Sequence, residues 1–320
     1  MARAATALSR SRSETKLEVR CRAITGLSVD RHSSYSRFMN RRRFIYQSTL
    51  ASGAAALASS ESSANAGTMS DRIKKAVKYS MINEPNMSVK DKLVMLKELS
   101  YDGVELRIDQ KNELKTFLKA VDQSDLPVHG IVNSSSPDLE TAVKFSQDVG
   151  GDSVLYVARY DKKRPLMESW NENKAVIQKG LAAAEKHKVK ILVENVWAGF
   201  IISALDAERF HDEINHPWFG IYFDVGNNVR WGVPQHWVQV LGNRIGKLDI
   251  KEWNEKLHAS EGLRAGFKSE LGEGTINWPA VCSALREIDY NGWATAEVPG
   301  GNRERLAEIA ERMDRVLQLG

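Results

Sequence analysis

The chain has 320 residues, 42% of them hydrophobic, and no apolar run reaches the ~20 residues that a membrane span needs. Its formal net charge is +4, yet residues 1–66 hold 11 Lys and Arg against 4 Asp and Glu, which leaves 34 against 37 for the rest. The basicity belongs to the leader, so the remainder lacks a nucleic-acid footprint and shows no stable membrane anchor.

The leader is informative. The stretch "MNRRRFIYQSTLASGAAALASSESSANA" starts at Met39. Arg41 and Arg42 precede Phe44, then come a weakly apolar Ala/Leu/Gly run and the small residues Ala64–Ala66. Charged, apolar, small-residue is the order of a secretory signal. The paired arginines resemble a twin-arginine export signal. The expectation is a disordered leader over 1–66, with the signal at Met39–Ala66, and an exported, periplasmic protein. A cytoplasmic protein with a basic tail is the alternative. Residues 1–38 are rich in Ser and Arg, so either Met1 or Met39 is the true start. Of the two cysteines, Cys21 and Cys282, only Cys282 follows the leader, which excludes a disulfide framework there. Cys282 lies in the helical pattern "WPAVCSALREI" and reads as a small core residue.

From Lys74 onward, short apolar runs alternate with amphipathic helical segments. The runs are "VKYSMI" (Val77–Ile82), "GVELRI" (Gly103–Ile108), "PVHGIVN" (Pro127–Asn133) and "SVLYVAR" (Ser153–Arg159), then "KILVENV" (Lys190–Val196), "GIYFDVGN" (Gly220–Asn227), "IGKLDIKEW" (Ile245–Trp253) and "WATAEVP" (Trp293–Pro299). They are short and rich in Val, Ile, Tyr and Leu, as buried parallel strands are. Segments such as "SVKDKLVMLKELS" put Leu93, Leu96 and Leu99 on one face with Val89. Eight strand–helix units over about 250 residues match the size and rhythm of a (β/α)8 barrel, a TIM barrel. An open doubly wound sheet would offer a Gly-rich phosphate loop after an early strand, and none follows the first or second. No linker follows Gly67, so 67–320 reads as a single α/β domain.

Active residues of such barrels sit at the C-terminal ends of the strands. Four acids occupy the ends of strands five to eight in order: Glu194, Asp224, Asp249 and Glu297. Neighbouring strand ends lie ~5 Å apart, so the four carboxylates can converge. Unpaired, they would repel one another and protonate. A divalent cation relieves this, and an all-oxygen set favours Mn²⁺ or Mg²⁺ over Zn²⁺. Singly, each acid could instead cap a helix or pair with a lysine. Lys247 and Lys251 alternate with Leu248 and Ile250, so they share the face of Asp249 and are its candidate partners. "LGEGTINWPAV" reads as a loop closing on the barrel mouth, followed by a helix that starts near Asn277.

At these residues the chain resembles the xylose isomerase-like superfamily, and in particular its sugar isomerases and epimerases of the tagatose 3-epimerase group. The resemblance rests on "GVELR", "VHG", "ILVEN", "FDVGN", "LGEGTINW" and "AEVPGG" in that order, from Lys74 to the C-terminus. It implies one divalent ion held by Glu194, Asp224, Asp249 and Glu297. In the family the third position is commonly His within His-x-His. Asp249 departs from that and adds a negative charge, which favours Mg²⁺ or Mn²⁺. "KEWNEK" also lacks the Arg that the epimerases place near the substrate, and Arg230 and Arg264 are the candidate replacements.

The resemblance further implies proton transfer next to a ketose carbonyl through an enediolate, with a small carbohydrate as substrate. Glu194 and Glu297 would be the catalytic acid and base. Glu105, His129, Lys251 and Asn227 are candidates for substrate hydroxyls, and Trp197 and Trp253 for an apolar wall against the sugar ring. Two alternatives remain: a metal-dependent dehydratase acting on a keto-sugar or inosose, and a secreted sugar-binding barrel without catalysis. The endonuclease IV branch needs three zinc ions and many histidines, whereas six histidines follow the leader and only His129 sits at a strand exit. The sequence leaves the substrate, the stereochemistry and any oligomer open.

Overall fold

The computed structural model describes residues 69–320. The expected leader and its export signal lie outside the described residues. The strands are β1 Ile73–Lys78, β2 Gly103–Arg107, β3 Val128–Ser134, β4 Ser153–Tyr156, β5 Lys190–Glu194, β6 Phe219–Asp224, β7 Ile245–Ile250 and β8 Gly292–Ala296. Every neighbouring pair is parallel, and β1 pairs with β8 to close the barrel in sequence order. The helices are α1 Val89–Glu98, α2 Leu114–Ser124, α3 Leu139–Asp148, α4 Leu166–His187 and α5 Ala204–Ile214, then α6 Pro234–Leu241, α7 Glu255–Glu261, α8 Trp278–Glu287 and α9 Arg303–Leu317.

The expected rhythm holds, with one shift of frame. The first strand is Ile73–Lys78, not Val77–Ile82, and Tyr79–Met81 is a 3-10 turn. Lysines hid this strand. Lys75 is 3% exposed beneath α9, where its Nζ donates to Asp314 Oδ1 at 2.6 Å and to the Ala310 carbonyl at 3.3 Å. A lysine buried against a helix is paired, and its methylene stem packs as apolar surface. The α8 expectation holds locally as well. Asn277 caps the helix by accepting from Ala280 N, and Pro279 sits in the first turn, where a missing N–H costs nothing.

Most of the apolar core lies between the strands and the surrounding helices. There Leu93, Leu96, Phe117, Phe210, Phe223 and Leu306 are fully buried, each worth roughly 1.5–3 kcal/mol of transfer free energy. Cys282 belongs to this layer, fully buried, with Sγ 3.3 Å from the Val316 carbonyl. The barrel interior is divided. Val132, Leu155, Val157, Leu192 and Tyr222 make a small separate apolar cluster on the side of β3 to β6. The side formed by β7, β8, β1 and β2 carries the polar side chains Lys247, Asp249, Thr295, Lys78 and Glu105, all buried. Among the described residues no helix is long and apolar enough to cross a membrane.

Candidate functional site

The carboxyl ends of β5 to β8 bring Glu194, Asp224, Asp249 and Glu297 together, with one oxygen from each lying within 4.8 Å of the others. Register explains the meeting. Asp224 is level with Asp249 across β6 and β7, and Ile250 is level with Ala296, one residue before Glu297. The Glu297 amide continues this ladder by donating to the Ile250 carbonyl at 3.0 Å. Asp224 and Asp249 are fully buried, Glu194 is 7% exposed and Glu297 is half-buried.

Local turns aim the acids. Asp224 Oδ1 accepts from Asn227 N at 2.7 Å, which closes the "DVGN" turn and leaves Oδ2 for the cluster. Asn195 accepts from Asp224 N at 2.7 Å and donates back to its carbonyl at 2.9 Å. Asn227 Nδ2 donates to Glu194 Oε1 at 3.2 Å. Gly226 is needed because a Cβ there would lie 2.9 Å from the Lys251 carbonyl oxygen.

Two ammonium groups enter the cluster. Lys78, the last residue of β1, places Nζ 2.9 Å from Asp249 Oδ2, 3.3 Å from Glu297 Oε2 and 3.7 Å from Glu105 Oε2. Lys251 places Nζ 2.9 Å from Asp224 Oδ2 and 3.4 Å from Glu297 Oε2. Neither of the lysines expected to serve Asp249 reaches it. Lys247 and Lys251 do face inward with Asp249, but Lys251 turns to Asp224. Lys247 bonds His129 and pairs with Asp152 at the opposite end of the barrel. The partner of Asp249 is Lys78, which the misplaced first strand had concealed.

The charges set the proton affinities. Burial raises the Glu194 carboxyl to about 8, with the negative charge of Glu297 adding to it. Burial also raises Asp224 and Asp249, against the pull of Lys251 and Lys78 respectively. Burial pushes Glu297 the same way, but Lys78 and Lys251 overcome it and hold this carboxyl down at about 2. For Lys78, burial works against the charged form. Asp249, Glu297, Glu105 and Glu194 together outweigh it and keep the ammonium protonated. Lys78 is thus an internal cation and not an amine nucleophile.

Below the cluster a chain of hydrogen bonds descends through the barrel. Glu105 Oε1 accepts from the Tyr222 hydroxyl at 3.0 Å, and that hydroxyl is 3.0 Å from Thr295 Oγ1. Thr295 Oγ1 is 3.1 Å from His129 Nε2, and His129 Nδ1 is 2.9 Å from Lys247 Nζ. The His129 ring stacks on Trp293 at 4.5 Å. Burial first, then Lys247, holds this imidazole well below its ordinary range, so it is neutral. His129 and Glu105 therefore lie in the barrel core and are absent from the cavity lining.

The cavity above the acids has a volume of about 640 Å³. Lys78, Glu194, Glu297, Lys251 and Asn227 form its polar floor, with Trp197, Phe267 and Val157 on its walls and Arg107 and Arg264 also lining it. Trp197 lines the cavity and donates to the Asn227 carbonyl at 2.6 Å. Trp253 packs edge-on to Trp197 at 5.4 Å but is itself fully buried. Arg230 stacks over Trp197 at 5.0 Å.

Sequence reading missed Glu252. Its carboxylate is 1% exposed and accepts from Trp253 N at 2.9 Å, Gly272 N at 2.8 Å and Trp278 Nε1 at 2.8 Å. It ties the "LGEGTINW" loop to the end of β7. Gly274 passes so close that a Cβ there would lie 2.3 Å from Glu252 Oε1.

The four acids fit a divalent cation. Their donor set is all oxygen, and Asp249 Oδ1 is buried with no hydrogen-bond donor among the described residues. With the acids ionised, four negative charges face two ammoniums and Glu105 adds a further anion beside Lys78, so the cluster carries a net negative charge that a divalent ion would offset.

A putative L-ribulose-5-phosphate 3-epimerase, SgbU of Haemophilus influenzae, is 22% identical over 268 residues, covering 73% of this chain and 92% of that protein. The L-ribulose-5-phosphate 3-epimerase UlaE of Escherichia coli K12 is 28% identical over 189 residues, covering 55% of this chain and 60% of the enzyme's length. These relatives are sugar epimerases, an isomerase class. Among solved structures, the IOLI protein with a bound zinc atom superposes with a TM-score of 0.63 at 17% identity, covering 77% of this chain and 98% of that one. The profile of the xylose isomerase-like TIM barrel family matches residues 93–318. The chain belongs to the xylose isomerase-like TIM barrel family.

Proposed function

We propose that this protein is a divalent-metal-dependent sugar isomerase or epimerase that moves a proton at the carbon next to a ketose carbonyl. One observation carries the reading: four carboxylates from four successive strand exits converge beneath a sugar-sized cavity, with Glu194 and Glu297 in its lining. Glu194, Asp224, Asp249 and Glu297 would hold the ion, Mn²⁺ or Mg²⁺ by donor type. When bound, it supplies Lewis-acid polarisation of the substrate carbonyl.

The remaining work belongs to the chain. Glu297, beside the Lys251 ammonium, is the base that removes the proton. Glu194, which reaches the cluster from the end of β5, returns one. The two acids titrate together, so a pH–rate profile reports the pair. Asn227 and Lys251 orient substrate hydroxyls on the polar floor, and Trp197 provides the wall for the apolar face of the ring. Arg107 and Arg264 are placed to meet an anionic group if the ketose carries one. The names of the curated relatives put a ketose phosphate among the substrates to be tried.

The test is exchange in D₂O. The Mn²⁺-loaded protein is incubated with free ketoses and ketose phosphates, and deuterium at the carbon next to the carbonyl is read by NMR. Incorporation that falls by about 10²- to 10⁴-fold in Glu297→Gln is the expected result. Loss of a β-hydroxyl from the substrate would favour the dehydratase reading. Saturable sugar binding with neither reaction would favour a binding barrel.

A further inference from the structure

Glu105 is a buried acid that the proposed proton transfer does not use. It is 1% exposed. Tyr222 holds its Oε1, and Thr295, His129 and Lys247 buttress Tyr222 in turn. Its Oε2 is buried with no hydrogen-bond donor among the described residues, and the nearest cation is the Lys78 ammonium at 3.7 Å. A buried, unsatisfied carboxylate oxygen is costly, and this one is held rigidly in place. Lys78 spends its shorter contacts elsewhere, on Asp249 Oδ2 and Glu297 Oε2. Those are two of the four residues that would hold the ion. An ammonium this close both uses up a donor oxygen and repels an incoming dication.

We propose that Lys78 is a displaceable internal cation: it competes with the divalent ion for Asp249 and Glu297, and Glu105 is the preformed seat onto which its ammonium moves when the ion binds. The inference rests on reading the four acids as a metal site. It makes Lys78 and Glu105 a pair that sets metal affinity, with no bond to the metal themselves. Lys251 is less suited to the role, since among the described residues its ion pairs are with Asp224 and Glu297, both inside the cluster. The displacement is short, and the hydrogen-bonded column below Glu105 keeps the seat fixed.

The test is Mn²⁺ affinity by isothermal titration calorimetry on the full chain, for wild type, Lys78→Met, Glu105→Gln and the double variant. Thermal unfolding verifies each fold. Lys78→Met keeps the methylene stem, removes the competitor and should tighten Mn²⁺ binding at least tenfold. Glu105→Gln keeps the bond to Tyr222, removes the anionic seat and should weaken binding about tenfold. In the Lys78→Met background, Glu105→Gln should have no effect, a coupling that a purely structural role would not produce. If wild type binds Mn²⁺ and Lys78→Met leaves the affinity unchanged or weaker, the inference is overturned and the metal reading stands. If neither wild type nor Lys78→Met binds Mn²⁺, the metal reading itself fails, and this inference with it. Should Lys78→Met not fold, Glu105→Gln decides alone: unchanged affinity there overturns the exchange of seats.

Discussion

Replacing Glu252 by Gln probes how the barrel mouth is held. The carboxylate takes two donors on Oε2, Gly272 N and Trp278 Nε1, and one on Oε1, Trp253 N. A glutamine offers one carbonyl. In its better orientation it keeps the two-donor side and turns its NH₂ group against Trp253 N–H, so one bond to a charged acceptor is lost, about 1.5–3 kcal/mol. The two that remain weaken from charge-assisted to neutral, roughly another 0.5–1 kcal/mol each. The expected loss is therefore about 2.5–5 kcal/mol, and a domain of this size converts that to a fall in Tm of roughly 5–20 °C. Differential scanning calorimetry at fixed metal concentration measures it. A Tm within ~1 °C of wild type would refute the assignment of Glu252 as the anchor of the 271–278 loop.

Further expectations follow from the same structure. Asp249→His removes the partner of Lys78 and introduces a nitrogen donor, so metal preference should move towards Zn²⁺ or Co²⁺; an unchanged profile in competition binding would count against Asp249 as a ligand. In the presence of a chelator, the pH dependence of stability has a defined sign. The native Glu194 carboxyl is raised to about 8, so its contribution is complete below the unfolded value of 4.5 and is lost as pH rises through 8. The slope is at most ~1.4 kcal/mol per pH unit for one proton, and Glu194→Gln should flatten it between pH 6.5 and 8 in urea titrations. For the leader, we propose export by the twin-arginine route. Substituting Arg41 and Arg42 by Lys should leave the precursor in the cytoplasm, and undiminished periplasmic protein on cell fractionation would sink that proposal.

The acids were legible because the barrel gives strand ends a fixed meaning. Once β5 to β8 were located, Glu194, Asp224, Asp249 and Glu297 had to face one another. The departure at Asp249 was also legible, but its compensation was not. Lys78 comes from β1, more than a hundred residues away from any of the acids, and Lys74, Lys75 and Lys78 make that strand look like a polar turn. Strand periodicity correctly turned Lys247 and Lys251 inward. It carries no information on which end of the barrel a long side chain reaches, so Lys247 went unrecognised as the partner of His129 and Asp152. His129 shows the same limit. A β-bulge pairs Val104 with Val128 but Glu105 with Gly130, and His129 is the extra residue between them. Its ring then lies inside the barrel against Trp293. Glu252 was hidden differently, since three donors from separate segments define its role and only the folded chain brings them together.

The central claim is that four buried acids form a divalent-ion site, and elemental analysis tests it most directly. The protein is purified from Gly67 onward without chelator, and bound metal is measured for wild type and for a Glu194→Ala/Asp249→Ala double variant. About one Mn or Mg per chain, lost in the double variant, is the predicted result. A wild-type protein that is metal-free and takes up no added Mn²⁺ would contradict the account and leave the acids paired only with Lys78 and Lys251.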